Sequence, residues 1–576
     1  MIRRPPRSTL DRSSAASDVY KRQVQPQGLR VRWALLVVLL LAAVLRLSWL
    51  DQVPLTNQMA ANGLTATVLV AAAPETGWPL AGTLSEGIRG SSLFVYLIWL
   101  PNQIVWHPLT GVLLVAVLNI IAVGLVYHVA GTWYGRSAAV SAGLLYACSP
   151  WAVVFSRQLW SGCCLAVVSL WLIAVSLTWL ERGGAGRLVL MLVLGILIPQ
   201  VHFGGLAATA WLLIVLIVGR ERLRASSLTT GLCFGLAAWT PWVAFHHMGG
   251  WDEFTSSLSV LSGKAPFGTA IVEGIDLVQA MLHSGRFDYW FSATPADLPD
   301  YFPAWQRGLM FVTAVLMVLG LAAAVARAFS GSPDETRQRV SKLLLLWLVL
   351  PLLSGLVYRP AFRPEQLVVF LPVALVVIGG EVGHWLDRLN RQPVWALRAG
   401  LSIVVFSHIL VIGSWNTFLE DDQARSTGEY GLSYRQRRDV ARWILGDCDG
   451  QSVELAGPFR GGFPAYEYIY YFERSRRGFD RMAPNPNLKY WVDEIPEDER
   501  LSVAARNSVK EREIGATLNR FQTTSSRWRI EKTHTLGPSR IYRIRKLDNT
   551  PLKTASTPDP DRPLKRLDRE ENDART

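Results

Sequence analysis

The chain has 576 residues, half of them apolar, with 23 Trp and a positive mean hydropathy. That balance excludes a soluble domain, whose surface must be polar. The formal net charge of +13 does not point to nucleic acid: many Arg sit in short loops between apolar runs, as the positive-inside bias requires, and no Arg-rich patch with interleaved aromatics stands out.

Residues 1–23, "MIRRPPRSTLDRSSAASDVYKRQ", lack the apolar core of a signal peptide and read as translated sequencing-adapter sequence. They are set aside from the fold. From there to 417 the chain reads as one transmembrane domain, 24–417. Spans are expected over about 33–50, 108–130, 137–155, 160–180, 187–201, 203–219, 226–248, 306–327, 340–358, 364–384 and 394–417. Basic loops at Arg182/Arg187, Arg220/Arg222/Arg224, Arg337/Arg339/Lys342 and Arg388/Arg391/Arg398 mark the cytoplasmic side. Parity decides the apolar segment 91–106, broken by Pro101. It is expected to lie in the interface, with Trp99 and Trp106 at headgroup level. The prediction is an all-α polytopic membrane protein of about 11 helices, in the cell (plasma) membrane, with a cytoplasmic N-terminus.

Two large outward loops follow from this layout, 51–107 and 249–305. The stretch 418–548 is expected to be a small extracytoplasmic α/β domain. In it "YRQRRDVARWILGD" (434–447) has helical period, "SVELAG" (452–457) reads as a strand, and "WRIEKTHTLGPSRIYRIRKL" reads as a hairpin turning at Gly537-Pro538. The tail 549–576 has little apolar content and is expected to be disordered. Five Cys, at 148, 163, 164, 233 and 448, show no metal-ligand spacing and read as small buried thiols.

Polar groups recur where spans end on the outward side: Asp51, Glu86 with Arg89, Arg157 with Gln158, Gln200 with His202, His246 with His247, and Arg359 with Arg363. Ionisable groups at membrane depth are costly, so their convergence suggests a site. Arg forks suit a phosphate, and a carboxylate can deprotonate a hydroxyl. Plain structural roles compete with these: Arg157 snorkelling to headgroups, Gln200 and His202 satisfying backbone freed at a Pro-broken turn, and His246-His247 as an interfacial pair.

The stretch 89–160, "RGSSLFVYLIWLPNQIVW…SPWAVVFSRQLW", resembles membrane glycosyltransferases of the GT-C fold, of the protein O-mannosyltransferase and aminoarabinose-transferase type. "GWPLAGTLSEG", "PQVHF" and "FRPEQLVVFLP" extend the resemblance to a prokaryotic branch. It implies sugar transfer from a polyprenyl-phosphate-linked donor to an extracytoplasmic acceptor (lipid, glycan or protein), with membrane lipids as surroundings and a divalent cation in some members. Nothing in it fixes an oligomeric state. Carried over by position, Ser156-Arg157 match an "SR" pair and Arg363 a late-loop Arg. The family's acidic base falls at Asn57 or Gln58, and an amide cannot accept a proton as a carboxylate does. Asp51 and Glu86 are therefore the candidate catalytic carboxylates. Arg89, Arg157, Gln158, Gln200, His202, Arg359 and Arg363 are the candidate binding set. The alternative is a catalytically inactive lipid-linked-sugar binding protein, or a subunit of a surface-polysaccharide assembly complex.

Overall fold

The computed structural model describes residues 33–69, 81–85, 88–91, 93–249, stretches of one to three residues between 251 and 282, 302–330, 334–357, 368–388, 391–420, 432–449, 453–456, 464–476, 488–494, 528–536 and 539–546. The chain begins with α1 (Trp33–Leu47) and α2 (Asn57–Leu64), then the hairpin β1 (Ala81–Ser85) and β2 (Ile88–Ser91). The helices α3 (Leu93–Asn102), α4 (Thr110–Tyr134), α5 (Arg136–Cys148), α6 (Pro150–Phe155), α7 (Leu165–Arg182), α8 (Ala185–Val201), α9 (Leu206–Val218), α10 (Ala225–Ala237) and α11 (Thr240–Gly249) follow. The bundle is completed by α12 (Ala304–Phe329), α13 (Glu335–Val357), α14 (Phe370–Arg388) and α15 (Arg391–Glu420).

Among the described residues, five helices are long and apolar enough to cross a membrane: α4, α7 with its leading turn, α12, α14 and α15. A sixth is added if α10 and α11, bent by 45° at their junction, form one span. The count of eleven stays an expectation. Two of its spans are interrupted: 137–155 is divided at Ser149 into α5 and α6, and 226–248 at the α10–α11 bend. Segment 91–106 contributes a helix of ten residues, α3, ending just past Pro101.

Small residues set the closest approach in the bundle. A side chain at Gly383 would come within 2.3 Å of the Ala138 backbone, and one at Gly379 within 2.5 Å of Ala142. Stripes of Gly and Ala thus let α14 lie directly on α5, where lipid offers no hydrophobic drive and van der Waals contact must hold helices together. Gly135, at φ 99°, makes the turn from α4 into α5. Cys148, Cys163, Cys164 and Cys448 are buried thiols; Cys233 departs from that expectation and lies exposed on α10.

The C-terminal unit carries α16 (Tyr434–Asp447), β3 (Glu454–Ala456), α17 (Pro464–Arg476), β4 (Leu488–Glu494), β5 (Trp528–Leu536) and β6 (Ser539–Lys546). Its sheet has the order β3-β4-β6-β5, with β3 parallel to β4 and the other pairs antiparallel. The helix expected at 434–447 forms over those residues, opened by a capping box between Ser433 and Gln436. Val440 and Ile444 are buried under it, while Trp443 stacks on His534 at 4.3 Å. The hairpin expected around 537–538 is β5 with β6; the two turn residues lie outside the described residues.

This unit sits against the segments that follow α1 and α3. Tyr434 N–H donates to the Val53 carbonyl at 2.8 Å, Arg437 donates to the Leu55 carbonyl, and Tyr468 Oη donates to the Pro108 carbonyl at 2.9 Å. Gly63 leaves room for the Tyr468 ring, which a methyl group there would meet at 2.5 Å. The end of the bundle bearing these contacts is called the sheet end below.

Candidate functional site

Helix breaks at the sheet end leave carbonyls that the helices cannot satisfy, and arginines fill the gap. Pro150 has no N–H and forces extended backbone on Ser149, so α5 stops at Cys148. Its last carbonyls receive the guanidinium of Arg46 from the end of α1: Nη1 donates to Ala147 O at 2.8 Å and Nη2 to Tyr146 O at 3.1 Å. The Leu45 carbonyl in turn accepts from Arg157 Nη2, while Arg157 Nη1 donates to Asn416 Oδ1 of α15 at 3.0 Å. Both arginines are buried, and the Nε of each is buried without a partner. Among the described residues no carboxylate lies within 4.0 Å of either guanidinium. Cations at helix C-termini are favoured by the orphan carbonyls and the dipole, but among the described residues two neighbouring buried positive charges have no counter-charge.

The connector that carries Arg157 is a buried, non-helical strip from 157 to 160 that leads into a short turn, Ser161–Cys164, ahead of α7. Such backbone is tolerated at membrane depth only when protein satisfies it. Asn62 Nδ2 donates to Leu159 O at 3.2 Å and Asn119 Nδ2 to Cys163 O at 3.0 Å. Gln158 is buried with its Oε1 4.0 Å from Cys163 Sγ. Trp160 meets the edge of the His202 ring at 4.5 Å. His202 Nδ1 accepts from Gly204 N–H at 3.0 Å, so the neutral ring carries its proton on Nε2. Gln200, at the end of α8, is buried with its Nε2 unpartnered. The same helix packs against β2, on which Arg89 pairs with Leu84 of β1, and against α3.

The structure therefore gathers Arg157, Gln158, Gln200 and His202 around the connector, with the strand carrying Arg89 beside α8. It adds Arg46, Asn62, Asn119 and Asn416, which the sequence reading passed over. Each of these is a polar residue inside or next to an apolar run, and that is the signal that could have found them. The His246–His247 pair divides: His246 is buried among Trp242, Phe245, Trp251 and Phe254, and His247 is exposed.

The carboxylates stand differently. Asp51 is part-exposed and held by Arg435 of α16, whose Nε donates to Oδ2 at 2.9 Å. Glu420 accepts from Gln52. Asn57, one of the two amides at the expected base position, has its Oδ1 receiving Ala465 N–H at 3.3 Å, a contact that ties α2 to the start of α17. The Gln58 side chain, Glu86, the Arg89 side chain, Arg359 and Arg363 lie outside the described residues. Among the described residues no group of three or more His, Cys, Asp or Glu is placed to hold a metal ion.

No protein-family model matches the sequence, and no curated protein does. Solved structures do. ArnT from Cupriavidus metallidurans bound to undecaprenyl phosphate matches with a TM-score of 0.55 at 12% identity, covering 90% of this chain and 98% of that one. The apo structure of the same protein gives 0.56 at 12% identity over the same shares. The oligosaccharyltransferase of Archaeoglobus fulgidus, in complex with Zn and sulfate, gives 0.46 at 11% identity, covering 80% and 68%. The chain has the GT-C fold and is a polytopic helical membrane protein with a small sheet-bearing unit.

Proposed function

We propose that this chain is a membrane glycosyltransferase that moves one sugar from a polyprenyl-phosphate-linked donor to an extracytoplasmic acceptor, with the sheet end facing outward. The observation that carries the reading is the pair of buried guanidiniums, Arg46 and Arg157, with no carboxylate within 4.0 Å among the described residues. An anionic ligand would offset their uncompensated charge, and phosphate is the anion whose oxygens match a guanidinium fork. The ArnT structure of the same fold holds undecaprenyl phosphate, which supports a lipid-borne phosphate over a free one.

In the proposed step a carboxylate takes the proton of the acceptor hydroxyl, the freed oxygen attacks the anomeric carbon, and the bond from that carbon to the phosphate oxygen breaks. Arg46 and Arg157 stabilise the charge on the departing polyprenyl phosphate. The base we assign is Glu86. Asp51 is already engaged by the Arg435 guanidinium, whose Nε donates to its Oδ2, and that contact ties it to α16.

A second reading, an inactive binder of lipid-linked sugar, is favoured by one observation: Asn57 serves as a docking acceptor for α17. The E86Q variant separates the two. In liposomes with labelled polyprenyl-phosphate sugars, the wild type is expected to transfer sugar and E86Q to bind donor but lose transfer at least a hundredfold. Donor binding without transfer by the wild type across lipid, glycan and protein acceptors would establish the binder instead.

A further inference from the structure

An apolar tip and a cluster of arginines meet where the α3 segment touches the C-terminal unit. After α3 the chain turns through 103–107, and Leu100, Ile104 and Val105 stand 59%, 82% and 52% exposed. The next residue, Trp106, is folded inward: its ring lies 4.6 Å from Phe472 and 5.9 Å from Tyr471 of α17. That anchor fixes the tip beside α16 and α17. His107 then faces Tyr434 at 6.1 Å between ring centroids.

Tyr434, Arg438 and Arg442 are four residues apart and form one stripe on α16. The Arg438 guanidinium lies over the Tyr434 ring at 5.7 Å, and Arg442 Nε donates to Glu473 Oε2 of α17 at 3.0 Å. Arg476 is exposed, one turn beyond Glu473, with no carboxylate partner among the described residues. Burial and the field of Arg476 lower the pKa of His107, with Arg438 and Arg442 adding to the effect and Glu473 opposing it. These charges therefore act on one spot. Asp439, beside Arg438 at 3.5 Å, is the other acid placed there among the described residues, so among them three guanidiniums face two carboxylates.

We infer that this edge is a binding site for an anionic glycerophospholipid of the leaflet at the sheet end, its phosphate on Arg438, Arg442 and Arg476 and its acyl chains along Leu100, Ile104 and Val105. The apolar tip supplies the reason for a lipid rather than a free anion. Three exposed aliphatic side chains next to a positive cluster match the two halves of one amphiphile. Trp106 and Tyr471 stand between the halves, where amphipathic rings are favoured at the membrane boundary.

Native mass spectrometry of the full chain, released from nanodiscs of phosphatidylglycerol and phosphatidylcholine in equal parts, tests this. The wild type is expected to retain phosphatidylglycerol over phosphatidylcholine by at least fivefold. R476Q, exposed and remote from the core, should cut that preference by half or more, and R438Q/R442Q/R476Q should abolish it. I104S/V105S should weaken retention of phosphatidylglycerol without altering competition by inorganic phosphate. A wild type without preference, or a triple variant that keeps it, overturns the inference. An unchanged lipid count in I104S/V105S, with displacement by millimolar inorganic phosphate, overturns the lipid and leaves a simple phosphate site. The triple variant should retain added polyprenyl phosphate; its loss there would show that the edge is part of the donor site.

Discussion

Two arginine clusters, one half-buried and one buried, lie at opposite ends of α5 and are completed in opposite ways. Near its start, Arg327 of α12 grips Glu381 of α14 with both forks, Nε to Oε2 at 2.6 Å and Nη2 to Oε1 at 2.7 Å, under the ring of Trp385 at 5.1 Å. Arg337 covers Tyr134 beside them. Near its end, Arg46 and Arg157 donate to carbonyls and to the amide of Asn416, with Arg46 over the Tyr146 ring at 5.8 Å and no carboxylate in reach among the described residues. One cluster carries its own counter-charge. The other, among the described residues, holds a positive field that the helix ends soften without neutralising. Charge that is matched locks helices together, whereas charge left open is available to a ligand.

The sharpest way to break this contrast is E381A. It strands Arg327 and is expected to cost about 3–5 kcal/mol, read as a large fall in thermal midpoint in detergent with no dependence on added lipid phosphate. Outside the bundle, Asp447 gives a second matched acid. Burial opposes its ionisation, but hydrogen bonds from Lys532, Tyr490 and Arg543 outweigh that and hold its carboxyl down to about 2. A depressed carboxyl contributes fully above the unfolded value of 3.8. Its contribution should fade as the pH falls toward 2. D447N is expected to remove about 2–3 kcal/mol at neutral pH and to flatten the acid limb of unfolding followed by circular dichroism.

R157Q should cost less, about 1–3 kcal/mol, because the Leu45 carbonyl and Asn416 lose a donor but a buried charge also disappears. Its distinguishing readout is ligand stabilisation. Undecaprenyl phosphate should raise the thermal midpoint of the wild type and leave that of R157Q unmoved. An equal rise in both would make Arg157 a helix cap and nothing more. The smallest effect is expected from D51N, because its pair with Arg435 is part-exposed: no more than about 1 kcal/mol, and sugar transfer kept within threefold. Loss of transfer in D51N, with E86Q active, would exchange the roles given to these two carboxylates.

Much of this architecture was legible in the sequence because it is local. Apolar length marked the bundle, a 3.6-residue period marked Tyr434–Asp447, and alternation around Gly537-Pro538 marked the last hairpin. The site was legible only in part. Arg157, Gln158, Gln200 and His202 declared themselves as polar groups at the ends of apolar runs. Arg46 did not, because an arginine near the end of a first span looks like an ordinary flanking charge. Nor did Glu381 or Asn416, whose partners are 54 and 259 residues away. The engagement of Asp51 by Arg435, across 384 residues, leaves no periodic trace at all. Pairing at such separation is decided by how helices stack, which one-dimensional patterns do not encode.

The seat of the C-terminal unit on the first loop has a consequence for biosynthesis. The carbonyls of Val53 and Leu55 find their donors in Tyr434 and Arg437, the latter 382 residues downstream. At about 5–20 residues per second, a ribosome needs roughly 20–75 s to deliver those partners after the loop emerges. The intervening helices are in the membrane before the loop is closed. The assembly is thus finished by its last-made part, and a chain cut short before residue 432 would insert yet leave its first loop without the Tyr434 N–H and the Arg437 guanidinium that hold it.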